Sequence, residues 1–256
     1  MKLLGIAAAL ASLLFANGAL AATVLMRDDF SGTRLKSSIW NVGDWMQGRS
    51  QLGNIPIVGG GHARLYFDTY RFRGTEIYTT QTFSRGAGIE VEARCRLNRI
   101  PPGLITSLFT YIFDDTANAA DEIDIELITK QLGQTPGGAP VNFTTFNDWQ
   151  KGTSVYQDGI RNFTVVQTVA GLNVNKWHTY LIRWLPDRTE WLIDGKIVAT
   201  SSIAQPDAAQ RVHLDFWAPA ADWPDAYDSR LQPAAAPRRN ARYFFDVDYV
   251  EVRSLP

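Results

Sequence analysis

Cysteine is almost absent from this sequence: Cys95 is the single cysteine among 256 residues, so the chain cannot close an internal disulfide bond. Charge of either sign is also in little excess, since the net charge is −1 at pH 7 and the isoelectric point is near 6.3. Proteins that bind nucleic acids or anionic lipid surfaces usually carry a basic surface. We therefore expect no nucleic-acid partner and no electrostatic attachment to a membrane.

Long apolar runs are missing too, apart from one at the start of the chain. Residues 3–15 are apolar and follow a basic Met1-Lys2 start, and Ala19-Leu20-Ala21 offers a small-residue cleavage site. A membrane-spanning helix needs about 20 apolar residues, which this run does not reach. We predict a signal peptide over residues 1–21, cleaved after Ala21 or Ala22, with a retained anchor as the alternative. The mature protein would be secreted, to the extracellular or periplasmic space, and free of the membrane.

Helical periodicity is rare in the remaining chain, where short segments alternate between apolar and polar residues. In residues 88–97 every second residue is apolar and those between are Glu or Arg, as in a strand with one buried and one solvated face. Asp194-Gly195 is a two-residue hairpin signal. Many short strands predict an all-β protein, a two-sheet antiparallel sandwich formed by one domain over residues 22–256. The predicted strands are 62–70, 75–83, 88–97, 104–113, 121–127, 141–147, 178–184, 190–193, 196–200, 212–217 and 242–253.

One predicted strand, residues 121–127, carries a row of acids. Glu122, Asp124 and Glu126 alternate with aliphatic residues, so the three carboxylates would share one face of the strand. A retaining glycosidase needs two carboxyl groups about 5 to 5.5 Å apart, one as nucleophile and one as general acid/base. The Cα atoms of Glu122 and Glu126 would be about 13 Å apart in an extended strand, so their side chains would have to lean together.

The acid row by itself leaves several alternatives open. It could be the solvated face of an ordinary strand, a site for Ca²⁺ or Mg²⁺, or a catalytic centre. In the catalytic alternative, Asp124 would hydrogen-bond to one neighbouring glutamate, and its charge would disfavour ionisation of its neighbours. The three groups would then titrate as a cluster.

Several segments resemble glycoside hydrolase family 16, in the variant found in bacterial lichenases and plant xyloglucan-active enzymes. DEIDIEL at 121–127 is similar to the family's active-site strand, TSLFTY at 106–111 to the strand before it, and FDVDYV at 245–250 to its closing strand. The resemblance implies a concanavalin-like β-jelly-roll sandwich with a substrate cleft across its concave sheet. It also implies retaining, endo-acting hydrolysis of a β-glucan-like polysaccharide, most readily β-1,3-1,4- or β-1,3-glucan.

The same resemblance assigns roles to residues. Glu122 is implied as the nucleophile, Glu126 as the general acid/base and Asp124 as the residue that assists the nucleophile. The implied substrate-binding residues, for whose aromatic members a place in the core is the alternative, are Glu76, Phe109, Tyr111, Asn142, Phe146, Trp184, Trp217 and Trp223. Tyr78 stands where an arginine is familiar and Phe146 where a tyrosine is, so the chain departs from its relatives among the sugar-binding residues.

No cofactor is required for this chemistry, although a structural calcium ion is implied at Asp248, completed by backbone oxygens near Asp29 and Gly61. An ordinary strand aspartate is the alternative. The sequence shows no acid or serine paired with any of the three histidines, so we expect packing or surface positions for them.

Other functions share these features. A transglycosylase, or a glycanase that trims exopolysaccharide, would use the same residues on the same scaffold. A carbohydrate-binding module or lectin would keep the aromatic cleft but is expected to lack at least one of the two glutamates. We expect a polysaccharide as the partner and a monomeric protein.

Overall fold

The computed structural model describes residues 22–98, 101–134, 137–150 and 162–256. The predicted signal peptide, residues 1–21, lies outside this part. The strands are β1 (Thr23–Asp28), β2 (Trp40–Val42), β3 (Met46–Gln47), β4 (Ser50–Gln51), β5 (Ile57–Val58), β6 (Ala63–Asp68), β7 (Thr75–Thr79), β8 (Ile89–Asn98), β9 (Ile105–Asp114), β10 (Ala119–Ile128), β11 (Gly138–Gln150), β12 (Asn162–Ala170), β13 (His178–Trp184), β14 (Thr189–Ile193), β15 (Lys196–Ser201), β16 (Arg211–Trp217) and β17 (Arg242–Ser254). A search of the described ranges finds no helix of the length and apolarity needed to span a membrane.

Two antiparallel sheets contain most of these strands. One has eight strands, ordered β15–β14–β13–β8–β17–β6–β5 with β1 also paired to β17. The other has seven, ordered β12–β11–β10–β9–β16–β7–β2, and β3 and β4 form a small hairpin. The predicted all-β sandwich is confirmed, and so is the hairpin at Asp194-Gly195. Both of its turn residues have positive φ, 49° and 74°, as a two-residue type I′ turn requires.

The sheets pack face to face through their aliphatic rows. Val91 and Cys95 of β8 belong to the same buried cluster as Ile123 and Ile125 of β10 and Leu214 of β16. Burial of such side chains stabilises the fold by about 25 cal/mol per Å² of apolar surface. Because the aliphatic face of β10 is held in this core, its acidic face points away from the sandwich interior.

The sequence did not predict β12. This strand lies at the edge of its sheet and pairs only with β11 among the described strands, and its side chains are exposed or half-buried. An edge strand packed against little else has no strict apolar alternation by which to identify it.

The long loop over residues 219–237 is fastened to the rest of the protein by Arg49. The Arg49 guanidinium donates hydrogen bonds to the backbone carbonyls of Pro219 (3.0 Å), Asp228 (3.0 Å) and Leu231 (2.7 Å). Three contacts from one planar group hold the start and the middle of the loop in one position. The loop therefore forms a fixed wall beside the seven-stranded sheet.

Candidate active site

The three acids of β10 stand side by side on the outer face of the seven-stranded sheet. Asp124 lies opposite Phe109 on β9 and Thr144 on β11. Asp124 is buried, and Glu122 and Glu126 on either side of it are half-buried. The predicted grouping of the three carboxyls on one face is thus observed.

Burial raises the pKa of all three carboxyl groups, because it removes water from their charged forms. The pKa of Glu122 is raised to about 8 and that of Glu126 to about 7, while that of Asp124 is raised well above its usual range. Asp124 donates a hydrogen bond to Glu122, which opposes the rise at Glu122 and adds to it at Asp124. The cluster therefore retains protons near neutral pH and has a carboxylic acid available.

Asn142 reaches the cluster from the neighbouring strand β11. It lies opposite Glu126 in the register of the sheet, and its Nδ2 donates a 2.6 Å hydrogen bond to Glu126 Oε2. This bond lowers the pKa of Glu126 and so limits the rise caused by burial. Asn142 thus contacts a catalytic candidate, and its predicted contact with the substrate stays a prediction.

Asp121, the first acid of the motif, faces the opposite way. It is 3% exposed, and its carboxylate accepts hydrogen bonds from the backbone N–H groups of Asp148 (2.8 Å), Asp207 (3.0 Å) and Ala208 (2.9 Å). Asp121 thereby ties two chain segments to the start of β10. Its role is structural, in contrast to the three acids that follow it.

Aromatic rings continue across the sheet from Asp124. His213 on β16 lies between Phe109 on β9, at 4.7 Å between ring centroids, and Tyr78 on β7, at 5.2 Å with the ring planes 13° apart. Trp45 extends the line, 5.8 Å from Tyr78. Flat rings of this kind suit the apolar faces of sugars.

These groups line a cleft of about 610 Å³. Its lining residues in the described part of the chain are Trp45, Gln47, Glu76, Tyr78, Phe109, Tyr111, Ile112, Phe113, Glu122, Trp149, Arg211, His213 and Asp215. A second depression, of about 680 Å³, is lined mainly by glycines and small or aliphatic residues and contains no ionisable side chain among those described. The acid-bearing cleft is therefore the candidate active site.

The predicted substrate-binding residues are divided by the structure. Glu76, Phe109 and Tyr111 line the cleft. Phe146 lies opposite Glu122 on β11 and packs against Trp149 at 6.0 Å between ring centroids. All four lie around the acid row, where a bound sugar could reach them.

Trp184 is a correction. The resemblance placed it against the substrate, but it lies on β13 in the eight-stranded sheet and is 0% exposed. Its indole Nε1 donates a 2.9 Å hydrogen bond to the carbonyl of Pro206. The prediction of a sugar contact is wrong for Trp184, because a fully enclosed ring between two sheets can only pack.

Trp217 and Trp223 lie together, 6.3 Å apart between ring centroids. Trp217 is 7% exposed and is packed in a small apolar cluster with Leu52 and Ile105, whereas Trp223 is half-buried at its edge. Neither is among the cleft-lining residues described above. Trp217 mainly anchors the wall formed by residues 219–237, and the predicted substrate contact of Trp223 stays a prediction.

Asp248 lies on β17, in the other sheet, and its carboxylate is bound by Arg94 at 2.5 Å. The guanidinium contacts Oδ2 of that carboxylate, so a calcium ion would have to share the carboxylate with it or displace it. The implied calcium site at Asp248 stays a prediction.

His213 and Asp215 are among the cleft-lining residues that the sequence did not predict. His213 Nδ1 lies 2.8 Å from Glu76 Oε1, and His178 Nδ1 lies 2.7 Å from Asp194 Oδ2, so two histidines contact acids that the sequence did not show beside them. The signal was present, because β16 repeats the period-two pattern of β10. Its polar residues 211, 213 and 215 alternate with the apolar residues 212, 214 and 216.

Comparison with known proteins identifies relatives over most of the chain. The family model "Glycosyl hydrolases family 16" matches residues 53–230. A β-glucanase of Bacillus amyloliquefaciens is 25% identical over 190 residues, covering 73% of this chain and 71% of that protein. A β-glucanase of Acetivibrio thermocellus is 25% identical over 219 residues, covering 81% of this chain and 59% of that protein.

Solved structures share the fold. The β-glucanase of Bacillus licheniformis has a TM-score of 0.67 at 19% identity, covering 91% of this chain and 99% of that chain. The endo-β-1,3-glucanase from Pyrococcus furiosus has a TM-score of 0.68 at 17% identity, covering 92% and 95%. The matched family range contains Glu122, Asp124 and Glu126, which lie on one face of β10 with Glu122 lining the cleft, and the chain belongs to glycosyl hydrolase family 16.

Proposed function

We propose that this protein is an endo-acting β-glucanase that hydrolyses β-1,3-1,4- or β-1,3-glucan with retention of anomeric configuration. The observation that carries the proposal is the position of Glu122 and Glu126 on one face of β10, with Asp124 between them and Glu122 lining the cleft. The β-glucanase names of the relatives agree with it. The aromatic line beside Asp124 adds a surface suited to a chain of sugars.

In the first step, the Glu122 carboxylate attacks the anomeric carbon while Glu126 gives its proton to the leaving oxygen. The bond from that carbon to the leaving oxygen breaks as the bond to Glu122 forms. Because the pKa of Glu122 is about 8 and that of Glu126 about 7, the cluster holds its protons jointly near neutral pH. The reactive form is the one with a proton on Glu126 and none on Glu122. Asp124, through its hydrogen bond to Glu122, favours the ionised form of the nucleophile.

In the second step, water replaces the sugar on Glu122. Glu126, now a carboxylate, takes a proton from the water while the water oxygen attacks the anomeric carbon. The bond from that carbon to Glu122 breaks, and Glu122 leaves as a carboxylate. The hydrogen bond from Asn142 stabilises this ionised form of Glu126. One residue thus serves as acid and then as base, and both carboxyls return to their starting states.

We also propose that the protein acts outside the cytoplasm. The apolar segment near the start of the chain supports export, and a polymeric glucan is a substrate met outside the cell. A monomer suffices for this chemistry, since all three carboxyls come from one strand.

The test is release of reducing ends from barley β-glucan and laminarin by the protein and by Glu122→Gln and Glu126→Gln. We expect loss of about 10²- to 10⁴-fold for the acid/base variant and at least as much for the nucleophile variant. Glu92→Gln, on the other sheet, is the matched control and should retain activity. Unchanged turnover in Glu122→Gln or Glu126→Gln would contradict the catalytic role assigned to that residue.

Azide separates the two roles. In Glu122→Ala, azide can attack the anomeric carbon directly and should yield the glycosyl azide of inverted configuration from a substrate with a good leaving group. In Glu126→Ala it should intercept the covalent intermediate and yield the retained product. The opposite pairing of products would exchange the two roles.

Two further outcomes distinguish the alternative functions. Products longer than the substrate in the presence of an acceptor oligosaccharide would indicate transglycosylation. Binding to insoluble glucan without new reducing ends would indicate a carbohydrate-binding module.

A further inference from the structure

Strand β16 presents His213 and Asp215 to the cleft, two residues apart on one face. Val212 and Leu214, beside them in the chain, are fully buried in the core, which fixes the direction of the strand's polar face. In an extended strand the two Cα atoms are about 7 Å apart. Both residues line the cleft.

His213 is held in one orientation. Its Nδ1 contacts Glu76 at 2.8 Å, and its ring packs against Tyr78 and Phe109 on the strands at either side. With Nδ1–H donating to Glu76, Nε2 accepts a hydrogen bond when the ring is neutral and donates one when the ring is protonated. Nε2 is buried and has no hydrogen-bond partner within the described part of the chain.

Asp215 shows the same incompleteness. It accepts a hydrogen bond from the hydroxyl of Ser107, but its Oδ1 is buried without a partner among the described residues. Burial, and next the charge of Glu76, raise the pKa of Asp215 well above its usual range. Its carboxyl group accepts hydrogen bonds in either state and can also donate one when it is protonated.

Buried polar groups in native proteins nearly always have partners, so the unpartnered atoms of these two cleft residues indicate partners that arrive with a ligand or with water. His213 and Asp215 line the cleft but are only 5% and 4% exposed, so a partner that reaches them must be small. Each atom needs a partner that can donate or accept a hydrogen bond, according to the protonation state of its residue. A sugar hydroxyl supplies both.

The pair lies at a defined distance from the reacting bond. Asp215 lies opposite Ser107 on β9, and Ser107 lies opposite Glu126 on β10. Two strand spacings put the Cα atoms of Asp215 and Glu126 about 10 Å apart, so a sugar chain that crosses the strands can contact the pair and the acid row at the same time. A glucan lying along the aromatic line crosses the strands, and residues spaced along β16 then meet opposite edges of one sugar ring.

We propose that His213 Nε2 and the Asp215 carboxyl form a subsite that binds hydroxyl groups of one uncharged sugar unit near the cleaved bond and so determine which glucans are accepted. This inference rests on the proposed glucanase function for its choice of ligand. It assigns His213 and Asp215 to recognition of the substrate, while the chemistry stays with β10.

The test measures binding in a Glu122→Gln background, so that it does not depend on turnover. Mixed-linkage and β-1,3-linked oligosaccharides, from disaccharide to octasaccharide, are titrated by calorimetry. Affinity should rise in one step when the chain becomes long enough to reach the subsite. Adding Asp215→Leu or His213→Phe should remove that step. The affinity for the longer oligosaccharides should fall by about tenfold or more, and each factor of ten corresponds to about 1.4 kcal/mol.

The controls separate a subsite from a general defect. Asp215→Asn keeps the shape and the polar atoms and should retain most of the step. Asp187→Leu and His62→Phe, both remote from the cleft, should bind as the parent does. Equal weakening for every chain length, or no weakening at all, would overturn the subsite. Loss of the step by Asp215→Leu in a protein whose wild type releases no reducing ends would support the subsite and refute the glucanase proposal.

Discussion

Asn142 holds Glu126 by a single 2.6 Å hydrogen bond from its side-chain amide to Oε2. Because the amide can only donate through Nδ2, it stabilises the ionised carboxylate and lowers the pKa of Glu126 against the effect of burial. The neighbouring strand thus adjusts the acid without taking part in the reaction.

Asn142→Ala should therefore raise the pKa of Glu126 and move the alkaline limb of the kcat/KM profile to higher pH. Asn142→Asp should move it further, because a carboxylate beside Glu126 disfavours its ionisation. The measurement is kcat/KM between pH 4 and 10 for the three proteins. An alkaline limb that stays in place would show that Asn142 does not influence the proton on Glu126.

Glu122→Gln should stabilise the protein at alkaline pH. The pKa of Glu122 is about 8 in the folded protein against an ordinary 4.5, so the folded state binds more protons than the unfolded state between these values. Stability from this group is present below about pH 4.5 and is lost as the pH rises toward 8. The melting temperature of Glu122→Gln should exceed that of the wild type at pH 8 and approach it at pH 4.5. A gap independent of pH would contradict this.

Trp184→Ala should destabilise the fold by about 3 to 5 kcal/mol, the usual cost of removing a large buried aromatic ring. Folded protein should keep its KM, because the ring lies away from the cleft. Trp45→Ala is the matched comparison: Trp45 is 40% exposed and lines the cleft, so KM should rise with little change in melting temperature. Calorimetry measures the melting temperature and initial rates give KM for both variants. A raised KM in Trp184→Ala with an unchanged melting temperature would show that Trp184 contacts the substrate after all.

Anionic glycans should be poor substrates. Among the described cleft-lining side chains, Glu76, Glu122 and Asp215 are acids, which repel an anionic sugar when they are ionised. The guanidinium of Arg211 already donates hydrogen bonds to the backbone carbonyls of Thr79 and Thr80. Carboxymethylated β-glucan should be cleaved at least about tenfold more slowly than its parent at low salt. The difference should narrow as salt screens the charges. Equal rates would favour a role in trimming acidic exopolysaccharide.

Chelation should have little effect on stability. Asp248 is paired with Arg94, which supplies the positive charge that calcium would bring. The melting temperature should be the same with EDTA and with added calcium. If calcium raises it, Arg94→Ala will show whether the ion competes for Asp248, since that variant should then respond more strongly.

The sandwich and the acid row could be predicted from the sequence because both depend on strict alternation. Ile123, Ile125 and Leu127 of β10 are buried in the core, so the alternation along the strand turns Glu122, Asp124 and Glu126 to the opposite face. The long-range partners were beyond such reasoning. Glu76 and His213 are separated by 137 positions, and only the sheet order, with β7 next to β16, brings them together.

The resemblance placed Trp184 against the substrate, and the local sequence pattern could not show that this prediction was wrong. Alternation along a strand shows which residues share a face with a tryptophan. It does not show whether that face meets a cleft or a second sheet. The strand β13 belongs to the eight-stranded sheet, and the face of that strand with Trp184 packs in the core. Strand pairing therefore decides the role of an aromatic residue that composition leaves open.

Asp121 has a bearing on how members of this family diverge. Its carboxylate binds three backbone N–H groups, so its retention is a matter of architecture and not of reactivity. A descendant that had lost both glutamates and become a pure binder would still be selected to keep Asp121. Inheritance of the first acid of the motif is thus no sign of surviving catalysis, and inactivation by its replacement would be no sign of a chemical role.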